Sequence, residues 1–371
     1  MKKCIIVPDS FKGTLSSIEI CNILERKVLE YYPQCQVVAL PVADGGEGTV
    51  DCFMMAQDDG QRIELEVSGP FPGEKVPGFY GRFGDVAVVE MAAAAGLPLV
   101  KGRKFPEKTT TFGVGELIRH AVEHGAKQVI LGLGGSSTND GGCGCAAALG
   151  VRFTDASGQS FVPVGATLHD IAGIDVAPAK ALLAGVQITA MCDVEAPLYG
   201  PSGAAAVFGP QKGADAAMVQ RLEEELICLD KAIQAHLGLK VATQPGAGAA
   251  GGFGAGVLAF LGGELRSGIE TVLDIVHFDD QLADADLVFT GEGRIDRQSL
   301  DGKVVIGVAR RALLRQVPVV AIVGDVGEGA ESAYACGVSA IFSTNRVALP
   351  YSEASMRSRQ DLQDTADNIL R

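Results

Sequence analysis

The sequence predicts an α/β protein of two domains, one inserted into the other. Three observations carry this. The chain opens with two strand–helix units (apolar runs at 4–7 and 36–41, each followed by a helical pattern), loses that rhythm after Gly60, and regains it at 286–290. Length agrees, since 371 residues exceed what one hydrophobic core usually organises.

Residues 4–7 (CIIV) read as the first strand; the turn PDSFKGT follows, and Ser16-Ser17 cap a helix over 18–31 whose Ile20, Ile23, Leu24 and Val28 fall on one face. The second strand, 36–41, runs into DGGEG (44–48) and another helix. From 61 the signal is of short strands (61–67, 75–82, 85–90) separated by Gly/Pro turns, hence antiparallel. A helix at 112–124 and a buried strand at 128–133 complete a mixed α/β arrangement. Beyond it come a hairpin near 151–161, a strand at 185–194, a long punctuated loop at 193–214 and an amphipathic helix at 214–237. Regular alternation then resumes with a strand at 286–290, a helix at 303–315, and strands at 318–323 and 338–343. The five strands outside the middle region, joined by helical crossovers, match a flavodoxin-like parallel sheet. The expected division is residues 1–58 with 280–371 as the flavodoxin-like domain and 59–279 as a mixed α/β insertion, the active site lying in the cleft between them.

Composition narrows function. A formal charge of −14 argues against a nucleic-acid partner, whose phosphates call for a basic face. No apolar run reaches membrane-spanning length, and the N-terminal apolar stretch is too short for a signal peptide. Nine scattered cysteines without a CxxC pair suit reduced thiols, so the expected compartment is the cytoplasm. Oligomeric state has no signature here.

Several motifs suggest chemistry. In 128–150 a strand leads through GGSSTNDGG (134–142) to a helix of small residues, the arrangement by which bare backbone N–H groups meet an anion. Two further acidic, glycine-flanked loops are DGGEG and TGEGRID (290–296), and Lys12 sits in a fourth turn after a strand. Carboxylates on such loops can hold Mg²⁺ against phosphate oxygens while Lys and Arg clamp the anions, although helix caps and Asx-turns explain most isolated Asp-Gly steps. Lys212 in FGPQKG is a second candidate for phosphate, and Asp193, at a predicted strand end, a candidate base. Other patterns are set aside. PGAGAAG (245–251) contains GxGxxG, but no strand precedes it and no acidic partner follows; no GxxxxGK[ST] or GxSxG occurs. His120 and His124, i,i+4 on a helix, lack a third ligand and read as surface or capping residues.

Taken together, PDSFKGTLSS, LPVADGGEGTV, LGLGGSSTNDGG, FGPQKGA, AGAAGGFGAGVLAFLG and TGEGRIDRQSLDGKV resemble, in order and spacing, the class I (bacterial type) glycerate kinases, over about residues 2–365. The resemblance implies ATP-dependent phosphorylation of D-glycerate, most often at the 2-hydroxyl, with Mg²⁺. A kinase acting on the 3-hydroxyl or on another small sugar acid is the nearest alternative, and a two-lobed hydroxy-acid-binding protein the alternative from another class. Two departures stand out: Ser137 where the family often has alanine, and Ala196 where it often has asparagine. The expected roles are as follows. Asp193, Lys12 and Asp140 are catalytic, with Asp193 the first choice to accept the hydroxyl proton. Arg294, Ser10 and Asp9 bind glycerate, Arg294 through its bidentate fork. Gly134, Gly135, Ser136, Ser137, Thr138, Asn139 and Lys212 hold ATP. Asp44, Glu47, Glu292 and Asp296 are the Mg²⁺ candidates.

Overall fold

The computed structural model describes the chain except Asp44, Asp58 and Gly302 and the side chains of Gln298 and Asp301. It separates into two compact units, Met1–Asp44 with Asp51–Asp58 and Ser267–Arg371 (unit 1), and Gly45–Val50 with Asp59–Arg266 (unit 2).

Unit 1 is built on a five-stranded parallel sheet. Its order is Val338–Ser343, Val319–Val323, Leu287–Gly291, Lys3–Pro8, Gln36–Ala39, the 2-1-3-4-5 arrangement of flavodoxin-like folds. The near-continuous apolar runs KCIIVP and VVAIV follow from position: inner strands of a parallel sheet are covered on both faces. Ser16 and Glu19 close a capping box on the helix Ser17–Tyr31, supplying partners for backbone N–H groups that its first turn leaves open. The unit begins at Ser267, ahead of the expected 280. Helix Gly268–Ile275 belongs with helix Val304–Leu314, because Arg311 of the latter meets Glu270, Asp274 and Asp279 at 2.7, 2.5 and 3.3 Å. The last helix, Tyr351–Leu370, has no counterpart in the sequence reading. Its first half is largely exposed, burial is confined to Asp361, Leu362, Thr365, Ala366 and Leu370, and Lys27 reaches its Asp367 at 2.9 Å.

Unit 2 has a six-stranded mixed sheet in the order Glu264–Arg266, Gln187–Met191, Gln128–Gly132, Val86–Glu90, Lys75–Phe83, Gln61–Ser68. The last three pair antiparallel, as their turn-punctuated sequence predicts, and Val86–Glu90 pairs parallel with Gln128–Gly132. Its core gathers Val129, Leu131, Leu149, Phe153, Phe253 and Phe260, all essentially solvent-free. The long helix Ala216–Leu237 starts two residues past the expected 214, its Asp215 side chain accepting from the Met218 N–H at 2.8 Å. The preceding loop holds two short helical turns, Ala204–Phe208 and Pro210–Lys212.

No helix among the described residues is long and apolar enough to cross a membrane.

Candidate active site

In unit 1 the candidates collect beyond the C-terminal ends of two adjacent strands. The Asp9 N–H donates to the Gly291 carbonyl at 2.8 Å, fixing the exit of Lys3–Pro8 against that of Leu287–Gly291. Asp9 turns its carboxylate back to the Ser10 N–H at 2.6 Å. Lys12 is exposed on the tight turn that follows, where Phe11 bridges Leu15 and Gly13 takes a positive φ.

Glu292, the first residue past its strand, is only 4% exposed, and its Oε1 has no hydrogen-bond partner. Burial pushes its carboxyl up to about 7; Ser299 and Lys303 pull the other way, while the charges of Asp9 and Asp296 add to the rise. Those causes put Asp9, Glu292, Asp296 and Lys303 in one electrostatic neighbourhood. Arg294 is exposed, its Nε 3.4 Å from Asp296 Oδ2 and 3.9 Å from Asp325 Oδ2, so the guanidinium is held at the rim between two carboxylates.

In unit 2 two of the glycine loops pack back to back. A Cβ on Gly132 would lie 2.3 Å from the Gly45 oxygen, and one on Gly134 2.5 Å from the Gly46 Cα; the Gly134 N–H donates to the Gly45 carbonyl at 2.9 Å. Glycine is required there by close approach. Gly134→Ala is expected to cost about 1–3 kcal/mol through overpacking, read as a lower midpoint in chemical denaturation. Glu90, which sequence reasoning passed over, holds this junction: fully buried, it accepts from the N–H groups of Gly48 at 3.3 Å and Val50 at 2.6 Å. Its only signal was a lone carboxylate closing an apolar strand. Glu47 is exposed on the same loop, and Asp44 lies outside the described residues.

The segment 136–140, expected to cradle phosphates, is sealed into the interior. Ser137 is 2% exposed and gives its hydroxyl to the Ala95 carbonyl at 2.8 Å. Asp140, fully buried, accepts from Thr111 N–H (2.8 Å), Thr111 Oγ1 (2.9 Å), Gly142 N–H (3.1 Å) and Gly144 N–H (3.2 Å). Burial raises its carboxyl, and those four donors oppose the rise. Lys212, 1% exposed, donates from Nζ to the Thr138 carbonyl at 2.6 Å; burial draws its ammonium down to about 7, against the pull of Asp140. Asp140 and Lys212, expected as proton acceptor and phosphate ligand, both face protein here, and their hydrogen bonds pin the loop. Thr138 Oγ1 and both polar atoms of the Asn139 side chain are buried without hydrogen-bond partners. Gly134, Gly135 and Ser136 stay nearest solvent, Ser136 at 7%. Asp193 is exposed just past the strand Gln187–Met191.

The glycines of 246–256 have a packing reason. A Cβ on Gly248 would fall 2.2 Å from the Pro197 oxygen, and one on Gly251 2.1 Å from the Thr138 oxygen. His120 stacks on His124 at 3.9 Å and meets the Tyr80 hydroxyl through Nδ1 at 3.1 Å. Among the described residues, no group of three or more His, Cys, Asp or Glu side chains gathers closely enough to hold a metal unaided. Magnesium keeps several waters and takes one or two carboxylates, so the orphaned Oε1 of Glu292 beside the hard oxygen donors of Asp296 and Asp9 fits that ion's chemistry.

A parallel sheet ending in acidic and basic turns and, in the other unit, a mixed sheet carrying glycine loops are the equipment of a phosphotransferase acting on a small molecule. Comparison with known proteins agrees. A model described as "Glycerate kinase family" matches residues 4–371. The glycerate kinase of Bacillus cereus (strain ATCC 10987 / NRS 248) is 46% identical over 99% of this chain and 97% of its own length. The glycerate 2-kinase of Escherichia coli (strain K12) is 45% identical over 92% of this chain and 90% of its own. A crystal structure described as glycerate kinase 2 from Salmonella typhimurium LT2 superposes with a TM-score of 0.86 at 43% identity, covering 100% of this chain and 97% of the other. The chain belongs to the glycerate kinase family, and it is a kinase.

Proposed function

We propose that the protein transfers the γ-phosphoryl group of ATP to the 2-hydroxyl of D-glycerate, giving 2-phospho-D-glycerate and ADP with Mg²⁺ as cofactor, in the cytoplasm. The observation carrying this reading is the near full-length match to relatives named glycerate kinase, one of them glycerate 2-kinase.

The bond between the γ-phosphorus and the β,γ-bridging oxygen breaks, a bond from phosphorus to the glycerate oxygen forms, and the hydroxyl proton passes to a carboxylate. Phosphoryl transfer asks little covalent chemistry of the protein, so positioning and charge dominate. Arg294 takes the glycerate carboxylate, its exposed fork matching that group bidentately. Asp9 and Ser10 orient the substrate hydroxyls, and Asp193 accepts the proton. Lys12 and the backbone at Gly134, Gly135 and Ser136 meet phosphoryl oxygens. Glu292 and Asp296, with Asp9 beside them, would hold Mg²⁺, and Glu47 is a further candidate. Bound there, the ion would neutralise charge on the transferring phosphates.

Phosphorus NMR of the product after incubation with ATP, Mg²⁺ and D-glycerate tests the reading: 2-phosphoglycerate supports it, whereas 3-phosphoglycerate or no product overturns it. Arg294→Lys should raise the KM for glycerate about tenfold to a hundredfold, leaving that for ATP unchanged, because an ammonium loses the bidentate geometry. Equal rises in both constants would remove Arg294 from the carboxylate.

A further inference from the structure

The glycine-rich segment 246–256, set aside above as a dinucleotide motif, takes no part in the proposed reaction. Within unit 2 it touches two loops that do. The first is the loop after the strand Gln187–Met191, where the Gly248 N–H donates to the Ala196 carbonyl at 2.9 Å. The second continues from the backbone at 134–136, and there the Gly141 N–H donates to the Gly251 carbonyl at 3.1 Å. Gly248 and Gly251 admit these loops because they are bare; a Cβ on either would strike the carbonyl oxygen of Pro197 or of Thr138. All three pieces of chain meet at Gly252, where a Cβ would stand 2.8 Å from Leu198 Cδ1 and 3.2 Å from the Gly141 Cα.

The backbone of the segment is strained. Ala250, Gly251 and Gly252 lie consecutively in the left-handed region, at φ values of 52°, 70° and 90°, and a π-helical turn, Val257–Leu261, follows. Glycine takes that geometry freely, but in alanine the Cβ crowds a carbonyl oxygen. A second cost falls at the same contact. Thr138 Oγ1 and both polar atoms of the Asn139 side chain are buried without partners, and the Asn139 Cα lies 2.6 Å from where a Cβ of Gly251 would stand. Left-handed alanines and π-helical turns persist where their surroundings over-determine them, and they gather at functional sites.

We propose that residues 248–252 are a positioning element for phosphoryl transfer: stiffened by the left-handed Ala250, they set the loop that follows Asp193 against the loop that continues from 134–136. The proton acceptor and the phosphoryl-binding backbone are thereby fixed relative to each other. The assignment rests on the roles given above to Asp193 and to that backbone. Transfer chemistry is sensitive to such spacing, since a misplacement of about 1 Å can cost on the order of a hundredfold in rate. Ala250 acts through Asp193 and is a positioning residue.

The test compares full-length wild type with Ala250→Gly. Glycine keeps the left-handed φ without strain but frees the backbone, so the two effects on stability offset and the melting temperature should stay within about 3 °C. Turnover with ATP, Mg²⁺ and D-glycerate should fall about threefold to tenfold, with the KM for each reactant within about threefold of wild type. Hydrogen exchange read by mass spectrometry should quicken together in the peptides containing Gly141 and Gly248, and stay unchanged in the strands Gln128–Gly132 and Gln187–Met191. Unchanged turnover, or exchange that does not quicken in both peptides, overturns the proposal. So does a loss of turnover no larger than the loss of folded protein, which would make Ala250 merely structural. On an Asp193→Asn background, Ala250→Gly should cost less turnover than on wild type, because the group it positions is gone; an equal cost overturns the route through Asp193. Wild-type turnover in Asp193→Asn alone defeats the role of Asp193, and the turnover and exchange of Ala250→Gly then decide the element by themselves.

Discussion

Asp140→Ala should cost about 3–5 kcal/mol of stability, because several buried donors lose their acceptor together and a buried lysine loses a nearby negative charge. The change deletes the acceptor of four hydrogen bonds and leaves Lys212, bonded to the Thr138 carbonyl, without the negative charge that favours its ammonium. Against a total stability of roughly 5–15 kcal/mol this is a large fraction, and the melting temperature should fall by about 10 °C or more. Asp140→Asn, which keeps an acceptor, should lose less. Lys212→Met removes the other charge, and because the two residues act on one loop, the double variant Asp140→Asn with Lys212→Met should be less damaged than the sum of the singles. Urea denaturation of the four proteins measures this directly. An Asp140→Ala protein that denatures like wild type but has no activity would return Asp140 to the chemistry.

That the sequence did not reveal the enclosure of Asp140 and Lys212 has a physical reason. A lysine between Gly-Pro and Gly looks the same in sequence whether it is solvated or enclosed. Its burial depends on the Thr138 carbonyl and on Asp140, residues that only the folded chain brings to it. Glu90 was silent for a similar reason: its partners are backbone N–H groups of residues 48 and 50, which carry no side-chain signature. By contrast, the strands of unit 1 were legible because doubly covered strands must be continuous apolar runs. The glycine loops were legible because close backbone approach excludes other residues, as between Gly134 and Gly46. Helix Tyr351–Leu370 escaped notice since its buried stripe is too sparse to set a period.

Glu292→Gln should make the metal-free protein more stable and the enzyme worse. The sign follows from burial. The carboxyl of Glu292 ionises near 7 in the fold against 4.5 for an ordinary glutamate, so between those values the folded state holds a proton that the unfolded chain has released. Stability therefore falls as pH rises from about 4.5 to 7, and above 7 the full penalty of roughly 3 kcal/mol is present. Glutamine carries no charge at any pH and avoids it. In EDTA the variant should exceed wild type by up to about 3 kcal/mol at pH 8 and match it at pH 4, by chemical denaturation at both. Magnesium should reverse the order. An ion held by the orphaned carboxylate oxygen stabilises wild type by mass action, and the variant, lacking that charge, should gain little from the same concentration. Turnover at pH 8 should fall at least about tenfold in the variant, since weaker metal binding leaves the phosphates less neutralised. If the two proteins denature alike at both pH values in EDTA, Glu292 is not the strained acid that its burial implies; if Mg²⁺ stabilises both equally, it is not a ligand. A carboxylate kept at such cost in a position where an amide would fold better is the pattern of a residue retained for its chemistry.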